Sequence, residues 1–266
     1  MRFSRLLLCT LAGCLLTGLA KAAEPAKRPN FVFIVSEDNS VHYLRLYGHK
    51  LGVTPNIERL AAEGLTFNHA FSGAPVCSVA RTTLATAMHA PRVGFQYHRK
   101  SAVASLPPGV KPWSTVLREQ GYYATNNSKT DYNFKVDMKQ AWDMSSRKAT
   151  WRNRPDKSMP FFHMQSFADS HESSLHFPIK QLEKPTTTLP AEVELPPYFP
   201  DTPIMRYTMA RYYDRMRIID GHVGRIVNQL REDGLLENTF VFYFGDHGGV
   251  LPRSKGYAYE SGLHVP

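Results

Sequence analysis

Four short polar groups in this 266-residue chain each follow an apolar stretch: Glu37-Asp38, Lys129 to Asp131, Asp169 to His171, and Gly245-Asp246-His247. They hold acids, a lysine and histidines, the residue types that bind hard cations, anchor anions and move protons. Should Glu37-Asp38 and Asp246 meet in space, their carboxylates offer oxygen ligands to a hard divalent ion. Consecutive acids on one strand point to opposite sides, so the chain must bend there for both to reach one ion. Taken singly, each group reads equally well as a polar strand terminus or a flexible turn. Four such groups are hard to explain as coincidence. Cys77 is a further candidate: once Cys9 and Cys14 are assigned to an N-terminal export signal, it is the one cysteine left, and no intrachain disulfide can form. A lone cysteine in an exported protein is either an inert buried residue or a chemically special one.

Positioning these groups requires strands that end beside one another. Asn30 to Ser36 is a continuous apolar, β-rich run, the pattern of a buried strand in a mostly parallel sheet. Thr54-Pro55 opens a helix through Ala62, with Thr54 as N-cap and Pro55 at the first helical position. Leu65 to Phe71 reads as a strand, Ser78 to Met88 and Trp113 to Gln120 as helices, and Tyr122 to Asn126 and Pro160 to Phe167 as strands. A long amphipathic helix is expected from Ile204 to Glu232, with Ile218, Ile219, Val223, Ile226, Val227 and Leu230 on its apolar stripe, leading into the strand Thr239 to Phe244. This order predicts an α/β fold with a mostly parallel central sheet and helices on both faces. The stretches Asp137 to Pro160 and Phe177 to Pro203 read as irregular loops over the site. In such sheets ligands bind beyond the carboxyl ends of the strands, where the polar groups lie.

Composition sets the class. With 42% hydrophobic and 21% charged residues, the chain has the make-up of a folded domain rather than a disordered one. Residues 1 to 22 have a basic start at Arg2 and Arg5, an apolar run from Leu6 to Leu19 and the small-x-small triplet Ala20-Lys21-Ala22, the layout of a cleaved signal peptide. The run is too short and too interrupted for a transmembrane segment. Leu11-Ala12-Gly13-Cys14 also resembles a lipoprotein box that would tether the chain through Cys14, but the apolar stretch continues past it, so simple cleavage and a secreted or periplasmic location are expected, with residues 23 to 266 as one domain. Without residues 1 to 22 the count is 29 basic against 23 acidic side chains, net +6. That balance suits an anionic partner. No run of interleaved basic and aromatic residues is present, so nucleic acid is set aside.

The chain resembles the type I sulfatases of the alkaline-phosphatase-like superfamily from about Arg28 onward. The resemblance rests on residues 28 to 38 (RPNFVFIVSED), 54 to 64 (TPNIERLAAEG) and 77 to 82 (CSVART), on Asp220 with Val223-Gly224, and on 238 to 248 (NTFVFYFGDHG) and 259 to 266 (YESGLHVP). It implies hydrolysis of sulfate esters or sulfamates, with a sulfated polysaccharide or sugar as the substrate class. It also implies that Cys77 is oxidised by a formylglycine-forming maturation enzyme, giving a hydrated aldehyde as nucleophile. Arg81 would hold that group. Glu37, Asp38, Asp246 and His247 match the family's metal ligands, with calcium as the expected ion. Lys129 and Lys255 match sulfate-binding lysines, and His171 matches a histidine assigned to leaving-group protonation or sulfate contact. Three positions depart from the family pattern: Val79 replaces the commonest proline, Glu37 an aspartate, and Asp131 a histidine. His89, Arg92, His98 and Arg99 are assigned surface or packing roles. The family continues past the Gly262 to Pro266 stretch into a further strand and a smaller domain, so the resemblance implies that the C-terminal part of the fold is missing and that the isolated chain has low stability. The competing readings are a phosphatase or phosphodiesterase of the same superfamily and a noncatalytic binder of sulfated glycans.

Overall fold

In the computed structural model, which describes residues 27–100 and 105–266, the apolar run after Pro29 forms β1 (Asn30–Ser36). Then come α1 (Pro55–Ala62), β2 (Ala70–Phe71), α2 (Cys77–Thr86), α3 (Ala90–Val93), α4 (Trp113–Glu119), β3 (Tyr123–Asn127), α5 (Met138–Ala141), β4 (Met144–Ser145) and β5 (Phe161–Phe167). The 30-residue α6 (Pro203–Glu232), β6 (Thr239–Gly245), α7 (Glu260–Leu263) and β7 (His264–Val265) complete the order. Residues 1 to 22, with Cys14 and the expected signal, lie outside the described residues. Among the described residues no helix is long and apolar enough to cross a membrane.

β1 lies inside a five-stranded sheet of order β4-β3-β5-β1-β6, and every pairing in it is parallel. Alternate β1 side chains therefore face opposite layers. Val32 and Ile34 are buried with Ile57 of α1 and Met216, Ile219 and Val223 of α6. Phe31, Phe33 and Val35 face the other layer, where Trp113 and Leu117 of α4 and Trp142 pack with Phe162. Phe33 meets Phe162 and Phe244 at ring-centre distances of 5.3 Å, both edge-on, the geometry favoured by aromatic quadrupoles. Burying each such aliphatic or aromatic side chain contributes about 1.5–3 kcal/mol, so β1 is the strand on which the two cores are built. The mostly parallel sheet with helices on both faces agrees with the sequence expectation.

Local details differ from that expectation for identifiable reasons. Leu65 to His69 is not a strand: Leu65 and Phe67 are exposed, and only Ala70–Phe71 pairs, antiparallel to His264–Val265. The Asp137 to Pro160 stretch is not wholly irregular, because it contains α5 and β4, and β4 adds an edge to the sheet beside β3. On α6, Ile219, Val223, Ile226 and Leu230 are buried as expected, whereas Ile218 is exposed. The Phe177 to Pro203 stretch forms short 3-10 turns and packs along α6, where the N–H groups of Thr187 and Thr188 donate to Asp214 at 2.8 Å.

Thr54 occupies the N-cap position of α1, but its side chain makes no capping bond. The cap comes from α6: the N–H groups of Asn56 and Ile57 both donate to Asp220 Oδ1 at 2.9 Å, and Asn56 Nδ2 donates to Oδ2 at 2.7 Å. A carboxylate at a helix start satisfies free N–H groups and complements the helix dipole. Asp220 therefore fastens α1 to α6.

Candidate active site

Strand register gathers the polar groups. Ser36 pairs with both Phe167 and Gly245, so Glu37 and Asp246 emerge at one level on neighbouring strands. Asn127 pairs with Gln165, which brings Lys129 out beside the same ends. The bend required at the acidic pair is present, since Asp38 has φ 54°, in the left-handed region. This turns the Asp38 N–H onto Asp246 Oδ1 at 3.1 Å. The loop after β6 passes so close to its neighbours that a Cβ at Gly245 would lie 2.5 Å from the Asn39 carbonyl oxygen, and one at Gly248 would lie 2.2 Å from that of Ser261. Glycine is required at both positions.

Cys77 is the first residue of α2 and is fully buried. Its Sγ lies 3.3 Å from His247 Nε2 and 3.8 Å from Asp38 Oδ1. Ligand-capable atoms of Asp38, Cys77 and His247 all fall within 4.8 Å of one another. One turn along α2, Arg81 donates from Nε to Asp246 Oδ2 and from Nη1 to Ser166 Oγ, both at 3.0 Å, and Nη2 is 3.9 Å from Glu37 Oε1. Arg81 therefore braces the carboxylates; the structure gives it no hydrogen bond to Cys77.

Three buried carboxylates, Glu37, Asp38 and Asp246, face four cationic partners. Lys129 Nζ donates to Glu37 Oε2. Lys255 Nζ donates to Asp38 Oδ2 at 2.9 Å, and lies 3.2 Å from Glu172 and 3.5 Å from His171 Nε2. His247 Nε2 is 2.9 Å from Asp38 Oδ1, and Arg81 holds Asp246. Burial alone would raise the carboxyl of Asp38, but the hydrogen bond and charge of His247, together with Lys255, hold it well below the usual carboxylate range. For His247 burial works toward the neutral ring, and Asp246 and Asp38 reverse it, pushing the imidazole up to about 10. Burial likewise opposes the charge of Lys255, and Asp38 holds the ammonium above its ordinary range. The Cys77 thiol would rise on burial, yet hydrogen bonds from His171 and His247 bring it down to about 7. Its bond to Cys77 raises His171 in turn, against the effect of burial.

Thus the nine residues singled out from sequence, Glu37, Asp38, Cys77, Arg81, Lys129, His171, Asp246, His247 and Lys255, form one linked cluster. Others stand apart. Asp169, expected alongside His171, pairs with His222 at 3.1 Å. Asp131 lies at the margin, 3.9 Å from Lys129 and 3.7 Å from Arg99. Among the residues assigned surface or packing roles, His89 and Arg92 are exposed, while His98 Nδ1 contacts Ser78 Oγ at 3.0 Å and so sits beside the start of α2.

Four participants were missed. Ser170 donates to the Glu37 carbonyl, Tyr212 from the middle of α6 donates to the Asp38 carbonyl, Glu172 pairs with Lys255, and Ser166 accepts from Arg81. Ser170 and Glu172 flank His171, and that adjacency was a usable signal. Nothing local marks Tyr212.

The donor set fits a hard divalent cation. Carboxylate oxygens from two strand ends converge, and a proton on His247 Nε2, 2.9 Å from Asp38 Oδ1 and 3.9 Å from Asp246 Oδ1, supplies the positive charge that these acids require. A bound ion would supply the same charge there. His247 Nδ1 is buried without a hydrogen-bond partner.

Comparison with known proteins gives the family. The family model described as Sulfatase matches residues 29–266. The chain is similar to an ulvan-active sulfatase of Formosa agariphila, 36% identical over 282 residues that cover 90% of this chain and 47% of the relative. It is similar to the N-acetylgalactosamine-6-sulfatase of Canis lupus familiaris, 25% identical over 93% of this chain and 54% of the relative. Among solved structures, the phosphonate monoester hydrolase of Agrobacterium radiobacter superposes with a TM-score of 0.69 at 17% identity, covering 90% of this chain and 67% of that one, which speaks to the fold alone. The chain spans about half the length of the curated relatives it matches.

Proposed function

Because the chain belongs to the sulfatase family, we propose that it is the nucleophile-bearing part of an exported enzyme that hydrolyses sulfate esters of a sulfated glycan. The observation that carries this reading is the seating of Cys77 at the start of α2, 3.3 Å from His247 and 3.8 Å from Asp38, directly on the carboxylate cluster. The similarity to sulfatases named for ulvan and N-acetylgalactosamine 6-sulfate supports a glycan as substrate. The signal-like residues 1 to 22 support export.

In this reading a formylglycine-forming enzyme matures Cys77, and the thiol sulfur marks the place of the oxygens of the mature group. Formylglycine, once hydrated, supplies a geminal diol with one hydroxyl to attack sulfur and a second whose deprotonation releases sulfate. Glu37, Asp38, Asp246 and His247 would hold calcium, which supplies Lewis-acid polarisation of sulfate oxygen. The chain's own residues do the remaining work. The free N–H groups at the start of α2 favour an anionic oxygen at residue 77. Lys129 and Lys255 offset negative charge on the transferring group. His171, 3.5 Å from Lys255, is placed to give a proton to the departing alkoxide. Arg81 fixes Asp246 and Glu37 beneath the nucleophile.

The test is mass spectrometry of the Cys77 peptide from the protein made in its own host, with sulfate release from sulfated glycans assayed on the same sample. An aldehyde or its hydrate at residue 77, and loss of sulfate release in C77A, are expected. An intact thiol accompanied by undiminished sulfate release overturns the reading.

A further inference from the structure

Beside the strand ends, on the α6 side, a cavity of about 540 Å3 is lined by His42, Tyr43, His49, residues 194 to 196 and 198, Met209, Tyr213, Arg253 and residues 259 to 261. That volume lies within the usual range of ligand pockets. It is separate from the Cys77 cluster, and one layer of side chains divides the two: Tyr43 packs edge-on against Tyr212 with ring centres 4.8 Å apart, and Tyr212 donates to the Asp38 carbonyl.

The wall is built around Arg253. Its guanidinium lies over the rings of both Tyr198 and Tyr259, 4.7 and 4.6 Å from their centres. Contact with two aromatic rings restrains the guanidinium without using its N–H donors. Among the described residues Arg253 makes no ion pair and no side-chain hydrogen bond, while the two acids of the same wall are already paired, Glu260 with His264 at 2.7 Å and Glu194 with Lys50 at 3.3 Å. Arg253 is therefore the charged side chain of this wall left without a polar partner among the described residues. Tyr198 and Tyr259, 42% and 49% exposed, add aromatic surface suited to the apolar face of a pyranose, and the exposed imidazole of His42, suited to its hydroxyls, lines the same cavity.

We propose that this cavity is a second saccharide subsite, in which the edge of Arg253 grips the carboxylate or sulfate of an acidic sugar unit whose ring lies against the tyrosines. The proposal rests on the reading of the chain as a glycan sulfatase and extends it. It assigns recognition of an acidic neighbouring unit to residues outside the reacting cluster, so specificity for a charged polymer does not depend on the sulfate being cleaved.

Calorimetric titration of ulvan oligosaccharides into the C77A chain, with and without R253A, tests it. The expected result is a Kd at least tenfold weaker with R253A and intermediate with R253K, and no difference between these forms for the same oligosaccharides after desulfation and carboxyl reduction. Hydrolysis of a small aryl sulfate by the host-matured protein is expected to change less than twofold with R253A, which also reports that the variant is folded. Equal Kd values with and without Arg253, or no binding of the oligosaccharides by either form, overturns the subsite. Absence of sulfate release by the unsubstituted protein counts against the sulfatase reading alone, because the binding comparison does not require turnover.

Discussion

The N–H of Asp38 donates to Oδ1 of Asp246 at 3.1 Å, which ties the end of β1 to the end of β6 through the two acids assigned to the cation. D246N keeps an acceptor oxygen for that bond and removes one charge. If these acids hold calcium, the parent protein gains thermal stability on calcium addition and loses it with a chelator, as binding to the native state requires. D246N is expected to lose most of that calcium-dependent shift and at least a hundredfold in sulfate release, read by differential scanning fluorimetry and a sulfate assay. An unchanged calcium response in D246N would remove Asp246 from the ligand set.

Arg81 is buried between Asp246 and Glu37, and removing it leaves two desolvated carboxylates short of a partner. R81M is expected to destabilise the fold by about 3–5 kcal/mol, the range for breaking a buried pair from one side. R81K keeps the charge but not the fork that reaches Asp246 and Ser166 together, so a smaller loss is expected. Urea unfolding of the three forms measures both.

The cap that Asp220 places on α1 predicts a cost without any effect on the cluster. D220A should lose about 1–2 kcal/mol by urea denaturation, as for loss of a helix cap. D220N retains one acceptor and should lose less. Turnover per folded molecule should be unchanged in both.

His163 is buried against Thr125, and its desolvation lowers the imidazole from its ordinary 6.5 to about 4. The unfolded chain therefore takes up this proton first as pH falls. The stability tied to the neutral ring is complete above pH 6.5 and is lost between 6.5 and 4, amounting to roughly 3 kcal/mol. H163Q, which can still bond Thr125, is expected to flatten this limb of the stability profile. Urea midpoints measured from pH 4 to 7 test it, and an identical slope in H163Q would refute the assignment.

Much of the site was legible because its residues sit immediately after strands, where sequence marks the end of an apolar run and parallel register does the gathering. Glu37, Asp246 and Lys129 needed only that their strands be neighbours. Contributions from distant elements left no such mark. Tyr212 is one aromatic among several on α6, and its role depends on where the Asp38 carbonyl points. Asp220 caps a helix 164 residues away in sequence, while local pattern points only to Thr54. Leu65 and Phe67 have the alternation of a strand, but pairing with a partner at residues 264–265 reaches only Ala70 and Phe71. Burial is decided by neighbours, and periodicity does not name them.

β6 pairs with β1 along one side, and Phe240 and Phe242 on it are exposed among the described residues. A bare strand edge beside uncovered aromatic rings invites other copies of the chain to stack there. Raising the concentration of this polypeptide therefore favours stacking of copies through that edge, and dilution or mild detergent reverses it.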